Sequence, residues 1–155
     1  MTNLFIQLIT SLAKRRISLL VFYVIIFDLI VTIIFSYVLF PNHSAGPQFD
    51  SSLEAFLMAV IVAPILETYL IQYSIIGFIV KRYPSKLLEA CLISATIFGL
   101  LHYYSIEYMA KTFISGVVYG ILFLVSIEKK IYPLLPVAIS HSIYNFLGFL
   151  TQYAL

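Results

Sequence analysis

The chain alternates five long apolar runs with short polar segments. Each run is at or near the length of about 20 residues that an α-helix needs to cross the hydrocarbon core of a bilayer. The pattern therefore predicts an all-α, polytopic integral membrane protein, a bundle of five transmembrane helices. The five runs are 17–40, 54–80, 87–106, 109–127 and 131–153.

The beginning of the chain predicts a shorter element. Apolar residues recur at helical spacing from Leu4 to Leu12, and a basic cluster follows at 14–16. This arrangement is typical of a helix that lies in the membrane interface. The next apolar run exceeds the 7–15 residues of a signal-peptide core, so we expect it to be retained. The expected organisation is an interfacial segment, 1–16, followed by a single transmembrane domain, 17–155.

The composition supports a membrane protein and argues against some other classes. Of the 155 residues, 62% are hydrophobic and 10% are charged, against about 25% charged in a typical soluble domain. The net charge of +2 gives no reason to expect a nucleic-acid partner. Cys91 is the only cysteine, so an internal disulfide is impossible.

The basic residues predict the orientation. If the helices alternate in direction, all but one of the nine Lys and Arg residues fall on the same side, which the positive-inside rule assigns to the cytoplasm. Lys111 falls on the other side. We expect a multi-pass protein of the plasma membrane with a cytoplasmic N-terminus and an external loop at 41–52. The residues on the cytoplasmic side are Lys14, Arg15, Arg16, Lys81, Arg82, Lys86, Lys129 and Lys130.

Four ionisable residues lie well inside the apolar runs, namely Asp28, Glu67, His102 and His141. A charged group in hydrocarbon costs roughly 2.5–3.5 kcal/mol on insertion scales, so such residues usually face the bundle interior and are functional candidates. A single histidine can also simply hydrogen-bond a neighbouring helix. Asp28 is expected either to be protonated or to pair with a histidine.

The spacing of the neighbouring polar residues favours a hydrolytic site. Phe98 lies one turn before His102, and His141 lies one turn before Asn145, so each pair shares one face of a helix. A glutamate and a histidine can activate water by general base catalysis. An imidazole and an amide together can stabilise an oxyanion. We therefore expect these residues and Glu67 to converge on one interior pocket.

The order of these residues resembles that of a known family. Glu67, then Phe98-x-x-x-His102, then His141-x-x-x-Asn145 is similar to the CPBP intramembrane glutamic endopeptidases, which include CAAX prenyl proteases and bacteriocin-processing or self-immunity (Abi-type) proteins. The resembling core covers about 54–153. The resemblance implies that Glu67 and His102 activate water, that His141 and Asn145 form the oxyanion hole, and that Phe98 packs beside the site.

The first motif departs from the family pattern. It usually reads Glu-Glu-x-x-x-Arg, and here it reads Glu67-Thr68-x-x-x-Gln72. The second Glu and the Arg would form an ion pair one helical turn apart. Thr68 and Gln72 place neutral hydrogen-bonding groups at both positions, which avoids an unpaired buried charge. We therefore expect them to be supporting residues and Glu67 to carry the chemistry.

The function predicted is that of an intramembrane endopeptidase that needs no cofactor and cleaves a membrane-associated protein or peptide. Three alternatives remain open. Glu67, His102 and His141 could instead bind a catalytic zinc, although the chain has no His-Glu-x-x-His. The protein could be an inactive membrane scaffold or self-immunity protein of the same fold. It could also be a small carrier that uses Asp28 and Glu67 as proton relays. The oligomeric state and the identity of the substrate are left open.

Depth in the membrane gives a separate expectation. A count of about 1.5 Å per residue from the predicted helix starts puts Glu67 on the cytoplasmic side of the midplane. The same count puts His141 near the midplane and His102 towards the outside. Different helix boundaries or helix tilt can move each residue by several Å, and a kink at Pro64 can move Glu67, so the three side chains can still converge.

The orientation can be tested with reporter fusions that are active only outside the cell. A fusion at Leu155 should be active and a fusion after Lys86 should be silent, because the basic loops are retained in the cytoplasm. The opposite pattern would reverse the orientation.

Overall fold

The computed structural model of the chain describes residues 2–41 and 46–153, and the regular elements in these ranges are all helices. Residues 42–45 of the expected external loop lie outside the described residues. The all-α membrane architecture predicted from the sequence is confirmed. The helices are α1 (Thr2–Ala13), α2 (Ile17–Leu39), α3 (Ser52–Arg82), α4 (Leu87–Leu101), α5 (Ile106–Glu128) and α6 (Leu134–Tyr153).

Four of these helices, α2, α3, α5 and α6, are long and apolar enough to cross a membrane. Helix α4 has only 15 residues, which gives it a length of about 22 Å. It ends five residues before the end of the apolar run, because Ser105 starts the next helix. The Ser105 hydroxyl accepts the Tyr108 N–H at 3.1 Å and caps α5. The chain therefore turns near His102, inside a stretch that hydrophobicity alone predicts to be continuous.

Helices α4 and α5 pack very closely. A Cβ atom on Gly116 would lie 3.0 Å from the Ala95 Cα, and a Cβ on Gly120 would lie 2.7 Å from the Cys91 Sγ. The Cys91 thiol donates to the Val117 carbonyl at 3.5 Å. Small residues let transmembrane helices approach until their backbones touch. This contact fixes α4, and with it Phe98 and His102, against α5.

Helix α3 contains wide turns with i→i+5 hydrogen bonding on both sides of Ala63–Glu67, over Phe56–Val62 and Thr68–Ile76. The Ala63 N–H bonds the Met58 carbonyl, five residues back. In the same register the next carbonyl, on Ala59, would take the N–H of residue 64.

That residue is Pro64, which has no N–H to give. The Asn145 side chain of α6 supplies the missing donor, and its Nδ2 lies 2.7 Å from the Ala59 oxygen. The irregular turn therefore ties α3 to α6 two helical turns before Glu67. The kink expected at Pro64 takes the form of a local widening of the helix that α6 supports.

Helix α1 docks onto the bundle. Ile9 is 2% exposed and belongs to the hydrophobic core. Lys129, just after α5, donates its ammonium protons to the Ala13 carbonyl at 2.8 Å and to the Arg15 carbonyl at 3.0 Å. These bonds satisfy the last carbonyl group of α1, which has no partner within the helix, and one in the segment that follows it.

Glycine substitutions test the α4–α5 contact. Gly116→Ala should lower the unfolding temperature in detergent, because its Cβ meets the Ala95 backbone and overpacking costs about 1–3 kcal/mol. Gly77→Ala is the matched control, since nothing lies within 4 Å of a Cβ there. Alanine is the better helix former by about 1 kcal/mol, so the control should be neutral or stabilising. Equal effects at the two positions would contradict the close approach.

Candidate active site

The Glu67 carboxylate faces two imidazole rings. Its Oε2 lies 3.9 Å from His102 Nε2 and 3.9 Å from His141 Nε2. These distances are too long for direct hydrogen bonds and suit one shared water molecule. Oε2 is buried and has no hydrogen-bond partner among the described residues, although the Glu67 side chain as a whole is 29% exposed. The carboxylate is thus aimed into the space between the two rings.

The orientation of His102 follows from the end of α4. His102 caps the helix, and its Nδ1 lies 2.7 Å from the carbonyl oxygen of Phe98. Carbonyl groups in the last turn of a helix have no partner within the helix, and a carbonyl oxygen can only accept. Nδ1 must therefore carry a proton. In the neutral ring, Nε2 is then an acceptor, and it faces Glu67.

His141 on α6 is held by aromatic rings. Its ring centroid lies 5.1 Å from that of Tyr119 and 5.7 Å from that of Phe98. Phe98 also packs on His102, with ring centroids 4.6 Å apart. Phe98, expected from the resemblance to pack beside the site, thus contacts both imidazoles. Its ring is 2% exposed, and this burial restricts the rotamers of both histidines.

Asn145 lies one turn after His141 on α6, as the spacing predicts. Its amide is engaged with the α3 backbone, through the bond to the Ala59 carbonyl. One N–H of the amide serves that bond, and the second remains available. The structure therefore places Asn145 next to the Glu67 helix in a supporting contact that the sequence does not reveal.

The two supporting residues of the first motif are fully buried on α3. Thr68 is 0% and Gln72 1% exposed. Among the described residues, Thr68 Oγ1 and Gln72 Nε2 have no hydrogen-bond partner. These two side-chain atoms therefore form no hydrogen bond to each other or to the Glu67 carboxylate.

Sequence reasoning missed a polar face on α5. Lys111, Ser115 and Tyr119 follow one another at intervals of four residues and are all buried. Asp28 of α2 lies against Ser115 and Tyr119. It is 1% exposed, and neither of its oxygens has a partner at hydrogen-bond distance in the described structure. The signal for this face was the four-residue spacing, which links the one basic residue expected outside to two hydroxyl groups.

A second chain of polar contacts begins at Lys111. Its Nζ donates to Tyr144 Oη at 3.0 Å, and that hydroxyl lies 2.6 Å from Thr32 Oγ1. Thr32 stands one turn after Asp28 on α2. Helices α2, α5 and α6 are therefore joined by side-chain hydrogen bonds next to the site.

A metal centre was the alternative chemistry for Glu67 and the two histidines. Within 2–41 and 46–153, no group of three or more His, Cys, Asp or Glu side chains is arranged so that it could hold a metal ion.

Comparison with known proteins supplies the family. The profile described as type II CAAX prenyl endopeptidase, Rce1-like, matches residues 49–147, a segment that runs from just before α3 to near the end of α6. No curated protein and no solved structure matches the chain. The match covers 99 of the 155 residues and includes Glu67 and both histidines. The chain is an integral membrane protein that belongs to the Rce1-like family of type II CAAX prenyl endopeptidases.

Proposed function

We propose that the protein is a glutamate-dependent intramembrane endopeptidase that hydrolyses a peptide bond in a membrane-associated protein or peptide. The observation that carries the proposal is the position of Glu67 Oε2, 3.9 Å from the Nε2 atoms of His102 and His141. A buried carboxylate without a direct partner is costly. A reacting water between these groups would explain why the protein keeps a carboxylate at this costly position.

Glu67 and His102 activate the water. Because Nδ1 of His102 is bound to the Phe98 carbonyl, its Nε2 can accept one water hydrogen while Glu67 Oε2 accepts the other. A lone pair on the water oxygen is then directed at the substrate carbonyl. As the new C–O bond forms, Glu67 takes a proton from the water. It returns this proton to the leaving nitrogen when the C–N bond breaks.

His141 and Asn145 stabilise the oxyanion. The proposed donors are the Nε2–H of His141, which faces Glu67, and the second N–H of Asn145, one turn further along α6. The bond from the Asn145 side chain to the Ala59 carbonyl holds its amide in place. Donors fixed before the reaction stabilise developing charge without reorganising. Phe98 keeps both imidazoles in position, and Thr68 and Gln72 keep the buried face of α3 neutral.

The family match and the charge pattern support the proposed domain organisation, membrane orientation and substrate. The core of about 54–153 forms one transmembrane domain within 17–155, preceded by the interfacial segment 1–16. The basic loops support a cytoplasmic N-terminus in the plasma membrane. The family description supports a prenylated substrate, so a suitable probe is a farnesylated peptide whose modified cysteine is followed by three residues.

An inactive scaffold or self-immunity protein is the second candidate function. It is favoured by Thr68 and Gln72, because Thr68 Oγ1 and Gln72 Nε2 have no partner among the described residues at the positions where the motif carries an ion pair. The enzyme requires the Glu67 carboxylate, whereas the scaffold requires only its shape.

Replacing the base separates the two functions. Glu67→Gln should abolish cleavage of the farnesylated peptide while the purified protein keeps or raises its unfolding temperature, because the side chains match in shape and the buried charge is lost with the base. Glu128→Gln, at the end of α5, is the matched control and should retain activity. Full biological activity of Glu67→Gln would show a scaffold.

Replacing His102 tests whether it acts together with Glu67. His102→Ala should be about as inactive as Glu67→Gln, and the double variant should be little worse, since residues that act together are not additive. Chelators should leave cleavage unchanged. Loss of activity with a chelator and its recovery with zinc would favour the metal-dependent reaction.

Pro64 separates the two roles of Asn145. Asn145→Ala should reduce turnover about 10²–10³-fold, the usual effect of removing one oxyanion donor, and should also lower the unfolding temperature. Adding Pro64→Ala restores a backbone N–H that can bond the Ala59 carbonyl. The double variant should regain stability and remain slow. If it regains turnover as well, Asn145 acts only by positioning α3.

A further inference from the structure

Lys111 is a buried cation in an aromatic setting. It is 6% exposed, and its Nζ lies 4.6 Å from the ring centroid of Tyr108 and 5.5 Å from that of Tyr144. Aromatic faces attract a cation, more strongly where water is excluded. The two rings therefore help Lys111 to remain charged inside the bundle. By the expected orientation, it is also the one basic residue of the external half.

The charge of Lys111 is not matched by a contacting carboxylate. In the described ranges no Asp or Glu oxygen lies within 4.0 Å of its Nζ, since the ion pairs found there involve other residues. Asp28 acts on it only over a longer distance. One of the three ammonium protons goes to Tyr144, which leaves two donors. A buried charge is stable when it is paired and hydrogen-bonded, so this site has capacity for an anion.

Lys111 stands one aromatic ring away from the catalytic groups. The Tyr108 ring that it contacts lies 5.8 Å from the His102 ring, centroid to centroid. The Lys111 charge acts electrostatically on both His102 and His141. An extended peptide advances about 3.3–3.6 Å per residue. A chain end two or three residues beyond the scissile bond would therefore reach the neighbourhood of Lys111.

We propose that Lys111 is the residue that binds the free C-terminal carboxylate of the substrate and so sets the distance between the cleaved bond and the chain end. This proposal rests on the proposed peptidase function. The two remaining ammonium protons of Lys111 donate to the carboxylate, while Tyr108 and Tyr144 fix the ammonium group. Thr32 of α2 holds Tyr144 through its hydroxyl. The first transmembrane helix, which lies outside the family match, thus supports substrate selection.

The test compares two forms of the farnesylated peptide, one with a free C-terminal carboxylate and one with a C-terminal amide. The unaltered protein should cleave the free acid with a kcat/KM about 10- to 100-fold higher, the range expected for hydrogen bonds to a charged group. Lys111→Met should lose this preference by slowing cleavage of the acid much more than cleavage of the amide. Lys111→Arg should keep most of it. Lys81→Met, at the exposed end of α3, is the matched control and should behave as the unaltered protein.

Equal cleavage of acid and amide by the unaltered protein would overturn the proposal, and this comparison needs no variant. An equal loss on both peptides in Lys111→Met, reversed by adding Asp28→Asn, would also overturn it and show that Lys111 serves only to balance Asp28. Failure of the peptidase function would look different. In that case neither peptide is cleaved by the unaltered protein, or both are cleaved equally well by Glu67→Gln.

Discussion

The rest of the site is built around one constraint, the placement of the Glu67 carboxylate inside an apolar bundle. Within the described part of the chain, its buried oxygen meets no cation and no hydrogen-bond donor directly, and two imidazole nitrogens lie 3.9 Å from it. A carboxylate in this position is unfavourable unless water or a substrate reaches it. The 29% exposure of its side chain provides that access. Stability and activity therefore make opposite demands on the same residue, and the surrounding helices are arranged to satisfy both.

Irregular backbone near Glu67 holds the side chains around the carboxylate in place. Helix α4 ends early and leaves the Phe98 carbonyl to His102, and Pro64 interrupts α3 and leaves the Ala59 carbonyl to Asn145. In each case a side chain of the motif hydrogen-bonds a backbone carbonyl that has no partner within the helix that carries the carbonyl. An unsatisfied carbonyl in hydrocarbon costs several kcal/mol, so these bonds hold the side chains firmly. The same bond that repairs the backbone also fixes the histidine tautomer in one case and the amide direction in the other.

The sequence was sufficient for the fold and for which polar residues share a helix, because hydrophobic length and four-residue spacing are local properties. The sequence did not predict where α4 ends. Hydropathy predicts one continuous apolar helix through this region, because it does not include the stabilisation that the Ser105 cap gives to the start of α5. The depth count spread Glu67, His102 and His141 across the membrane for the same reason, since it assumed straight helices with the predicted ends. Lys111 was visible only as an exception in the charge pattern, because its partners come from three helices and depend on packing.

The loss of the motif's ion pair changes the electrostatics of the site. With Thr68 and Gln72 both neutral, α3 places no positive charge within one turn of Glu67 to balance it. Lys111 then becomes the buried cation that acts on the same histidines, and it does so from α5, across the rings of Tyr108 and His102. Its distance from Glu67 prevents a contact ion pair, which in the proposed mechanism would neutralise the base and block the water position. A cation held one ring away can instead stabilise negative charge in the pocket and still offer protons to an incoming carboxylate. Under the proposal for Lys111, one side chain would both balance charge in the resting protein and bind the substrate carboxylate.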